Sequence, residues 1–267
     1  GTYRDTDLTR THPLTAALAD WRRQPGVERV TLHGLDETGG GGLLTSAAGH
    51  RAAGGVSRGG GGQVPLFASD SVLTLRLEGD FKGLFRDRGD ERKEHPARLR
   101  FSVSGSVKVE LRTRGIFRLK NCSFPPIRID LPTGKVTNTV FAGQDKLKLV
   151  THCRGDRLYE RNLLKEYALY RAFNAVTDTS FRVRLAHLTY IDTTRADTVV
   201  RYGFLIESDR ALGQRLTADV VDQARVHDAV TDPAYMTLVA LFQYLIGNTD
   251  WSVWGQHNIA VFSDTAT

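Results

Sequence analysis

Alternation of apolar and polar residues dominates the chain between positions 66 and 150. It is clearest at 72–77 and 145–150, where apolar side chains occupy every second position. A period of two is typical of strands that bury one face. Gly105 separates two more such runs, 99–104 and 107–112, in the pattern of a hairpin. We therefore predict that this region is mainly antiparallel β.

The second half of the chain mixes helical and strand patterns. Apolar spacing predicts a helix over 161–176, strands over 183–192 and 199–207, and a helix over 234–246. Strands, helix, strands and helix follow one another in that order, which indicates an α+β chain whose first lobe is rich in β-structure.

Glycine is concentrated near the N-terminus, where 11 of the 26 glycines fall between positions 39 and 62. No apolar period surrounds them, so residues 1–62 are expected to form a largely flexible arm. We assign 63–207 to the β-rich lobe and 208–267 to a partial second lobe.

The net charge of the chain predicts an anionic binding partner. The chain has 36 basic and 30 acidic residues among 267, a net charge of +6, which suits a nucleotide or an acidic surface. Basic and acidic residues are interspersed, as over 82–100, so we expect no nucleic-acid partner. No apolar run reaches the roughly 20 residues of a membrane span. We expect a monomer.

Two cysteines, Cys122 and Cys153, are too few for a disulfide scaffold or a four-ligand zinc site. They form either one disulfide or two separate buried thiols. Both flank predicted strands of the β-rich lobe, so we expect their Cα atoms to lie within roughly 7 Å. A disulfide would indicate export or a cell-surface location, and the alternative location is cytoplasmic.

The apolar run 235–246 leads into a polar segment with candidate chemistry, Gly-Asn-Thr-Asp at 247–250, followed by His257 and Asn258. An Asp can accept the proton of an attacking hydroxyl and an Asn can ligate Mg²⁺, as phosphoryl transfer requires. The alternative is a polar turn between a helix and a short strand. We place Asp250 as the candidate base and Asn258 as a metal ligand.

Upstream residues fall in an order that suits the same chemistry. Lys148, or its neighbour Lys146, lies on a predicted strand and precedes Glu166 on the next helix. In a kinase-like fold such a lysine holds nucleotide phosphates and pairs with the helix glutamate. Glu166 shares a helix face with apolar residues and needs a cation. We predict an ion pair between Glu166 and Lys148, with Lys146 as the alternative.

These segments resemble the CotH family of kinase-like proteins over about residues 111–262. The resemblance is carried by Leu-Arg-Thr-Arg-Gly at 111–115, Lys-Leu-Lys-Leu at 146–149, Glu-Arg-Asn at 160–162 and the strand that leads into Glu207. The segment at 247–258 also resembles the catalytic loop of HipA-type and phosphoinositide-type kinases.

This resemblance implies a two-lobed kinase-like fold and an ATP-dependent phosphotransferase that uses Mg²⁺ or Mn²⁺ and an unknown acceptor, such as a protein. Arg114 and Glu207 would then help to bind the nucleotide. Ile116 stands where the family motif usually has Asn, and eight residues separate Asp250 from Asn258 where kinases commonly have five. These two departures favour the alternative, a non-catalytic nucleotide-binding or surface-interaction module.

A second metal carboxylate is the last candidate. Only Asp264 follows Asn258 as an acid, so Asp264 would complete the metal site. We expect 259–262 to form a strand whose partner is missing, with Asp264 in the turn after it. On this interpretation the second lobe is truncated and phosphotransfer by the chain is negligible.

Overall fold

A computed structural model describes residues 65–103, 105–222 and 225–264. Their contacts divide them into two compact units. The barrel unit contains the described residues of 65–221 and 261–264. The loop unit contains those of 222–260. The predicted arm, 1–62, lies outside the described residues.

The barrel unit is built mainly from strands. Seven of them form its wall: β1 (Leu73–Gly79), β2 (His95–Arg100), β3 (Ser106–Thr113), β4 (Ile127–Asp130), β5 (Lys146–Val150), β6 (Val183–Asp192) and β7 (Asp197–Ile206). Two short strands, β8 (Ala218–Val220) and β9 (Phe262–Asp264), pair with each other in a separate antiparallel sheet. The alternating patterns therefore predicted strands correctly, with boundaries shifted by a few residues.

Helices are few and mostly short. They are α1 (Phe81–Arg86), α2 (Phe117–Asn121), α3 (Arg157–Val176), α4 (Asp209–Leu216) and, in the loop unit, α5 (Pro233–Leu245), with single 3₁₀ turns at Thr133–Lys135 and Asp228–Val230. Helix α3 begins four residues before the predicted start because the Asp156 side chain accepts a hydrogen bond from Leu158 N and so caps the helix.

The seven wall strands close into a barrel in the order β1-β2-β3-β4-β5-β7-β6. Six neighbouring pairs are antiparallel, and the closing pair, β1 with β6, is parallel, with Leu75 opposite Leu188. The barrel is thus a mixed sheet. Its first five strands pair antiparallel with one another, as predicted, and the parallel pair is the one that closes the barrel.

The predicted kinase-like two-lobe fold, with a partial helical second lobe, is wrong. The described residues form a closed seven-stranded mixed barrel with few helices. The prediction failed because a period of two reports that a strand buries one face but does not report which strand lies beside it. Pairing of β1 with β6 joins segments more than 100 residues apart, and no local pattern marks it.

Alternate side chains of the wall strands fill the barrel. Leu147 and Leu149 on β5 are fully buried, whereas Lys146 and Lys148, which alternate with them, point outward. The same alternation on the other strands contributes to one continuous core, which includes Leu75, Leu77, Leu99, Val107, Val109, Leu111, Ile127, Ile129, Leu188 and Leu205. Burying these side chains supplies the main driving force for closure.

Aromatic rings pack in one part of this unit. The ring of Phe124 lies 4.4 Å from Phe85, 4.7 Å from Tyr190 and 4.4 Å from the imidazole of His152. His152 and Tyr190 are both buried. Neither His152 Nδ1 nor the Tyr190 hydroxyl has a hydrogen-bond partner among the described residues, so these two buried groups are left without compensation.

The loop unit begins its helix at Pro233, where Asp232 accepts a hydrogen bond from Tyr235 N at 2.6 Å. Proline in the first turn and an aspartate before it are common helix starts. The helix ends at Leu245, and Gly247 follows with φ of +69°, a left-handed conformation that glycine adopts without steric cost. The predicted helix over 234–246 is therefore confirmed to within one residue.

Candidate functional site

Lys148 is held in place at the outer surface of β5. Its Nζ donates hydrogen bonds to both carboxylate oxygens of Asp209, each at 2.7 Å. It also lies 5.2 Å from the ring centroid of Phe181, a cation–π distance. Asp209 is the first residue of α4, whose start Ser208 caps by accepting a hydrogen bond from Ala211 N. A strand and a helix start thus fix the lysine together.

Glu166 pairs with a different cation. On α3, its Oε2 accepts a hydrogen bond from Arg118 Nη2 at 2.6 Å. The predicted ion pair between Glu166 and Lys148 is therefore wrong, and Lys146 does not replace it, since it lies exposed opposite Asp130. Glu166 pairs with a residue of α2 and Lys148 with a residue of α4, two short helices that the sequence pattern did not predict.

Arg114, directly after β3, is half-buried beside these charges. Burial lowers the pKa of its guanidinium, while the nearby Tyr170 and Asp209, and also Glu166, act in the opposite direction. Its backbone N donates to Pro126 O. The guanidinium itself makes no hydrogen bond or ion pair with any residue in the described part of the chain. A half-buried arginine in such surroundings can donate hydrogen bonds to an anion.

These side chains form one group, here called the barrel cluster: Arg114, Arg118, Lys148, Glu166 and Asp209. It contains three cations and two carboxylates, so its formal charge is positive. Arg114 therefore lies near two separate ion pairs, Lys148 with Asp209 and Arg118 with Glu166, in place of the predicted pair of Lys148 with Glu166. Sequence reasoning missed both Arg118 and Asp209, although an acid in the first turn of a capped helix is a usable signal.

Tyr170 borders the barrel cluster from α3. Burial, and then the charge of Glu166, raise the pKa of its phenol. The hydroxyl therefore stays protonated at neutral pH and can donate a hydrogen bond to an anion.

Glu207 is buried and already engaged. Its two carboxylate oxygens accept from Arg215 Nε at 3.1 Å and Nη2 at 2.9 Å, and Oε2 also accepts from Arg182 N. Its backbone N donates to Arg182 O. These bonds tie α4 to the segment before β6. The predicted nucleotide contact of Glu207 stays a prediction, and the bonds seen here hold the fold.

A disulfide links the segment after α2 to the segment after β5. Cys122 and Cys153 are bonded, with their Cα atoms 4.6 Å apart, which confirms the predicted proximity. Cys122 follows α2, which carries Arg118, and Cys153 follows β5, which carries Lys148. Arg88 also donates to Leu119 O and Cys122 O. The disulfide therefore fixes α2 to the end of β5.

In the loop unit, the polar segment after α5 folds back on itself. Ser252 and His257 exchange two backbone hydrogen bonds, at 3.0 and 2.9 Å. Gly255 N donates to the Ser252 hydroxyl, and Asp250 N donates to Asn248 Oδ1. This closed turn absorbs the longer spacing between Asp250 and Asn258.

The turn brings two side chains to the Asp250 carboxylate. His257 Nε2 lies 2.9 Å from Asp250 Oδ1. Asn258 Nδ2 donates to Asp250 Oδ2 at 3.0 Å and to its backbone oxygen at 2.7 Å. The Asp250 side chain is 76% exposed, so a reactant can reach it. The predicted partners Asp250 and Asn258 are thus together, and His257 joins them.

Asp264 lies in β9, opposite Ala218 of β8. The strand predicted over 259–262 is wrong, since β9 occupies Phe262–Asp264 and has a partner. The described residues contain no group of three or more His, Cys, Asp or Glu side chains arranged to hold a metal ion. Metal ligation by Asn258 and Asp264 stays a prediction.

Comparison with known proteins adds no family. The sequence matches no protein-family model, and no curated protein matches it. Among the described helices, none combines the length and the apolar character needed to cross a bilayer.

Proposed function

We propose that the chain is an ATP-dependent phosphotransferase in which the barrel cluster binds the nucleotide phosphates. The observation that carries the proposal is the Arg114 guanidinium, half-buried near Asp209, the ion-pair partner of Lys148, and without a hydrogen-bonding partner in the described residues. Arginine presents a planar set of donors that fits phosphate oxygens, and lysine adds a compact charge. The resemblance of 111–115 and 146–149 to CotH-family segments supports the same assignment.

The two acids of the barrel cluster, Asp209 and Glu166, would limit its affinity for phosphate. Lys148 is paired with Asp209, and Arg118 with Glu166, so both cationic side chains are held in position and their charges are partly neutralised. A phosphate group that binds Arg114 would add negative charge beside these pairs and compete with Asp209 for Lys148. Binding should therefore be moderate and should weaken with salt.

Asp250 would act as the proton acceptor for the attacking hydroxyl. Its oxygens are oriented by His257 and Asn258, and its exposure leaves it open to an acceptor. Proton acceptance needs a carboxylate within hydrogen-bonding reach of the hydroxyl. The acceptor class is not defined by these contacts, and a protein acceptor is the expectation that the family resemblance gives.

Mg²⁺ or Mn²⁺ would supply charge neutralisation of the transferred phosphate. Asn258 Nδ2 is used by Asp250, so its amide oxygen is the atom left for a cation. Mg²⁺ is commonly held by one or two carboxylates together with phosphates and water. Asn258 in the loop unit and Asp264 in the barrel unit each carry an oxygen of that kind.

A non-catalytic nucleotide-binding module is the second candidate. The contact of Lys148 with both oxygens of Asp209 favours it, since a lysine held by this carboxylate is not available to orient a phosphate for transfer, whereas Arg114 can still bind one. In either case the disulfide supports export to an oxidising compartment or to the cell surface, which we include in the proposal.

Titration with ATP, with and without Mg²⁺ or Mn²⁺, tests nucleotide binding through the thermal unfolding midpoint. We expect Arg114→Ala to weaken ATP binding about tenfold to hundredfold, since it removes charged hydrogen bonds. Arg114→Lys should restore part of the affinity. Lys120→Ala, which removes an exposed cation from α2, is the matched control. If ATP does not raise the midpoint of the unmodified chain, both candidates are wrong.

Phosphate transfer from labelled ATP separates the two candidates. Transfer that Asp250→Asn abolishes, while ATP affinity is unchanged, supports the phosphotransferase. Binding without transfer to the chain itself or to a generic protein acceptor supports the non-catalytic module. Transfer that survives in Asp250→Asn would exclude Asp250 as the base.

A further inference from the structure

Cations face each other across the outer surface of three barrel strands. Arg76 on β1 lies directly opposite Arg100 on β2, and Arg98 on β2 lies directly opposite Lys108 on β3. Like charges at directly opposed positions destabilise a sheet. These four side chains are here called the basic face. The opposed pair Arg98 and Lys108, which has no ion-pair partner among the described residues, is not explained by the stability of the barrel.

One acidic side chain, Glu78 on β1, lies within this surface, directly opposite Arg98 on β2. Glu78 pairs with both Arg76, at 2.7 Å, and Arg100, at 2.9 Å. Arg98 and Lys108 form no ion pair among the described residues.

The strands beside the basic face contribute an uncharged residue on one side and acids on the other. On one side, β6 places the uncharged Thr189 opposite Arg76. On the other side, Glu110 lies two positions after Lys108 on β3, directly opposite Asp130 of β4. The positive charge is thus confined to one end of the barrel.

An apolar side chain projects from that same end. The β2–β3 turn is closed by hydrogen bonds from Phe101 N to Gly105 O at 3.0 Å and from Gly105 N to Ser102 Oγ at 2.7 Å. Val103 at its apex is fully exposed. Val72, just before β1, is also exposed and lies at this end, since β1 and β2 run antiparallel.

We propose that the basic face docks on an anionic lipid surface, with Val103 entering the boundary between headgroups and acyl chains. Cations spread over a two-dimensional patch, with an apolar tip at its edge, fit a membrane interface. A single-stranded nucleic acid would be expected to find aromatic side chains for base stacking, and the outward positions of β1–β3 carry none. The proposal does not depend on nucleotide binding.

Vesicle co-sedimentation of the full chain tests it. We expect binding to vesicles of phosphatidylcholine with phosphatidylglycerol, weaker binding at high salt, and none to phosphatidylcholine alone. Arg98→Gln with Lys108→Gln should lower the partition coefficient about 25-fold, at about fivefold for each cation. Val103→Asp should also lower it. Lys165→Gln, which removes an exposed cation from α3, is the matched control and should bind normally.

The proposal has clear opposing outcomes. Equal binding to neutral and anionic vesicles, or equal loss in Lys165→Gln and the double variant, would overturn it. Binding to an oligonucleotide or to polyglutamate, without binding to anionic vesicles, would assign the basic face to a soluble polyanion and also overturn it. Thermal unfolding checks that each variant is folded, and removal of opposed like charges should not destabilise the barrel.

Discussion

Mild acid should destabilise the barrel through His152. This side chain is only 3% exposed and stacks near Phe124. Burial, and then the charge of Arg201, lower the pKa of His152 from 6.5 to about 4. The folded protein therefore keeps the imidazole neutral over a range in which the unfolded chain protonates it.

The sign and size of the effect follow from this difference. Between pH 6.5 and about 4, the unfolded state binds one more proton at His152 than the folded state, so acid favours unfolding. The gap between the two pKa values corresponds to a loss of roughly 3 kcal/mol over that window. Hydrogen bonds outweigh burial at Asp87 and Asp192 and lower their pKa values below 3.8. These acids therefore act mainly below the window.

Denaturant unfolding at a series of pH values measures the effect. We expect the free energy of unfolding to fall steeply from pH 6.5 to 4 in the unmodified chain and much less in His152→Gln. His227→Gln, which changes an exposed histidine of the loop unit, is the control and should keep the steep fall. The readout is the pH dependence, so a variant of lower starting stability still tests it. An equally steep fall in His152→Gln would refute the reasoning.

Three further predictions concern stability. Tyr190→Phe should leave the free energy of unfolding unchanged or raise it by up to about 1 kcal/mol, because the lost hydroxyl is buried without a partner; a clear loss in chemical denaturation would contradict this. Gly203→Ala should destabilise by about 1–3 kcal/mol, since the new Cβ would lie 2.9 Å from Val150 O; an unchanged thermal midpoint would contradict it. Reduction of the Cys122–Cys153 bond, which spans 31 residues, should lower stability by about 3–4 kcal/mol, measured by unfolding with and without reductant; equal curves would show that the bond constrains little.

Local sequence patterns predicted the strands and helices well, but they did not predict which strands pair. The strand over 183–192 was predicted at both boundaries, because its apolar residues and its flanking polar segments are all local signals. Its parallel pairing with β1 was not predicted, and without that pairing the barrel becomes an open lobe. A two-lobe interpretation was the result.

The candidate site shows the same limit at the level of side chains. Lys148 lies on a strand, as predicted, and alternates there with buried leucines, but its partner is Asp209 and not Glu166; Asp209 lies 61 residues further on at a helix start. Long charged side chains pair with whichever opposite charge lies near, and that depends on the turns. The cysteines were predicted more successfully, since each follows an element of the same barrel region and a disulfide tolerates only a short separation.

Barrel closure also sets an order for events during synthesis. Strand β1 emerges first but borders β6, and β5 borders β7, with Lys148 opposite Ile206. Until residue 192 has left the ribosome, β1 exposes an unpaired edge on which another chain can add a strand, and β5 does so until residue 206 has emerged. Translation of more than 100 residues separates the appearance of β1 from that of β6, so the nascent chain passes through an extended period with an exposed strand edge.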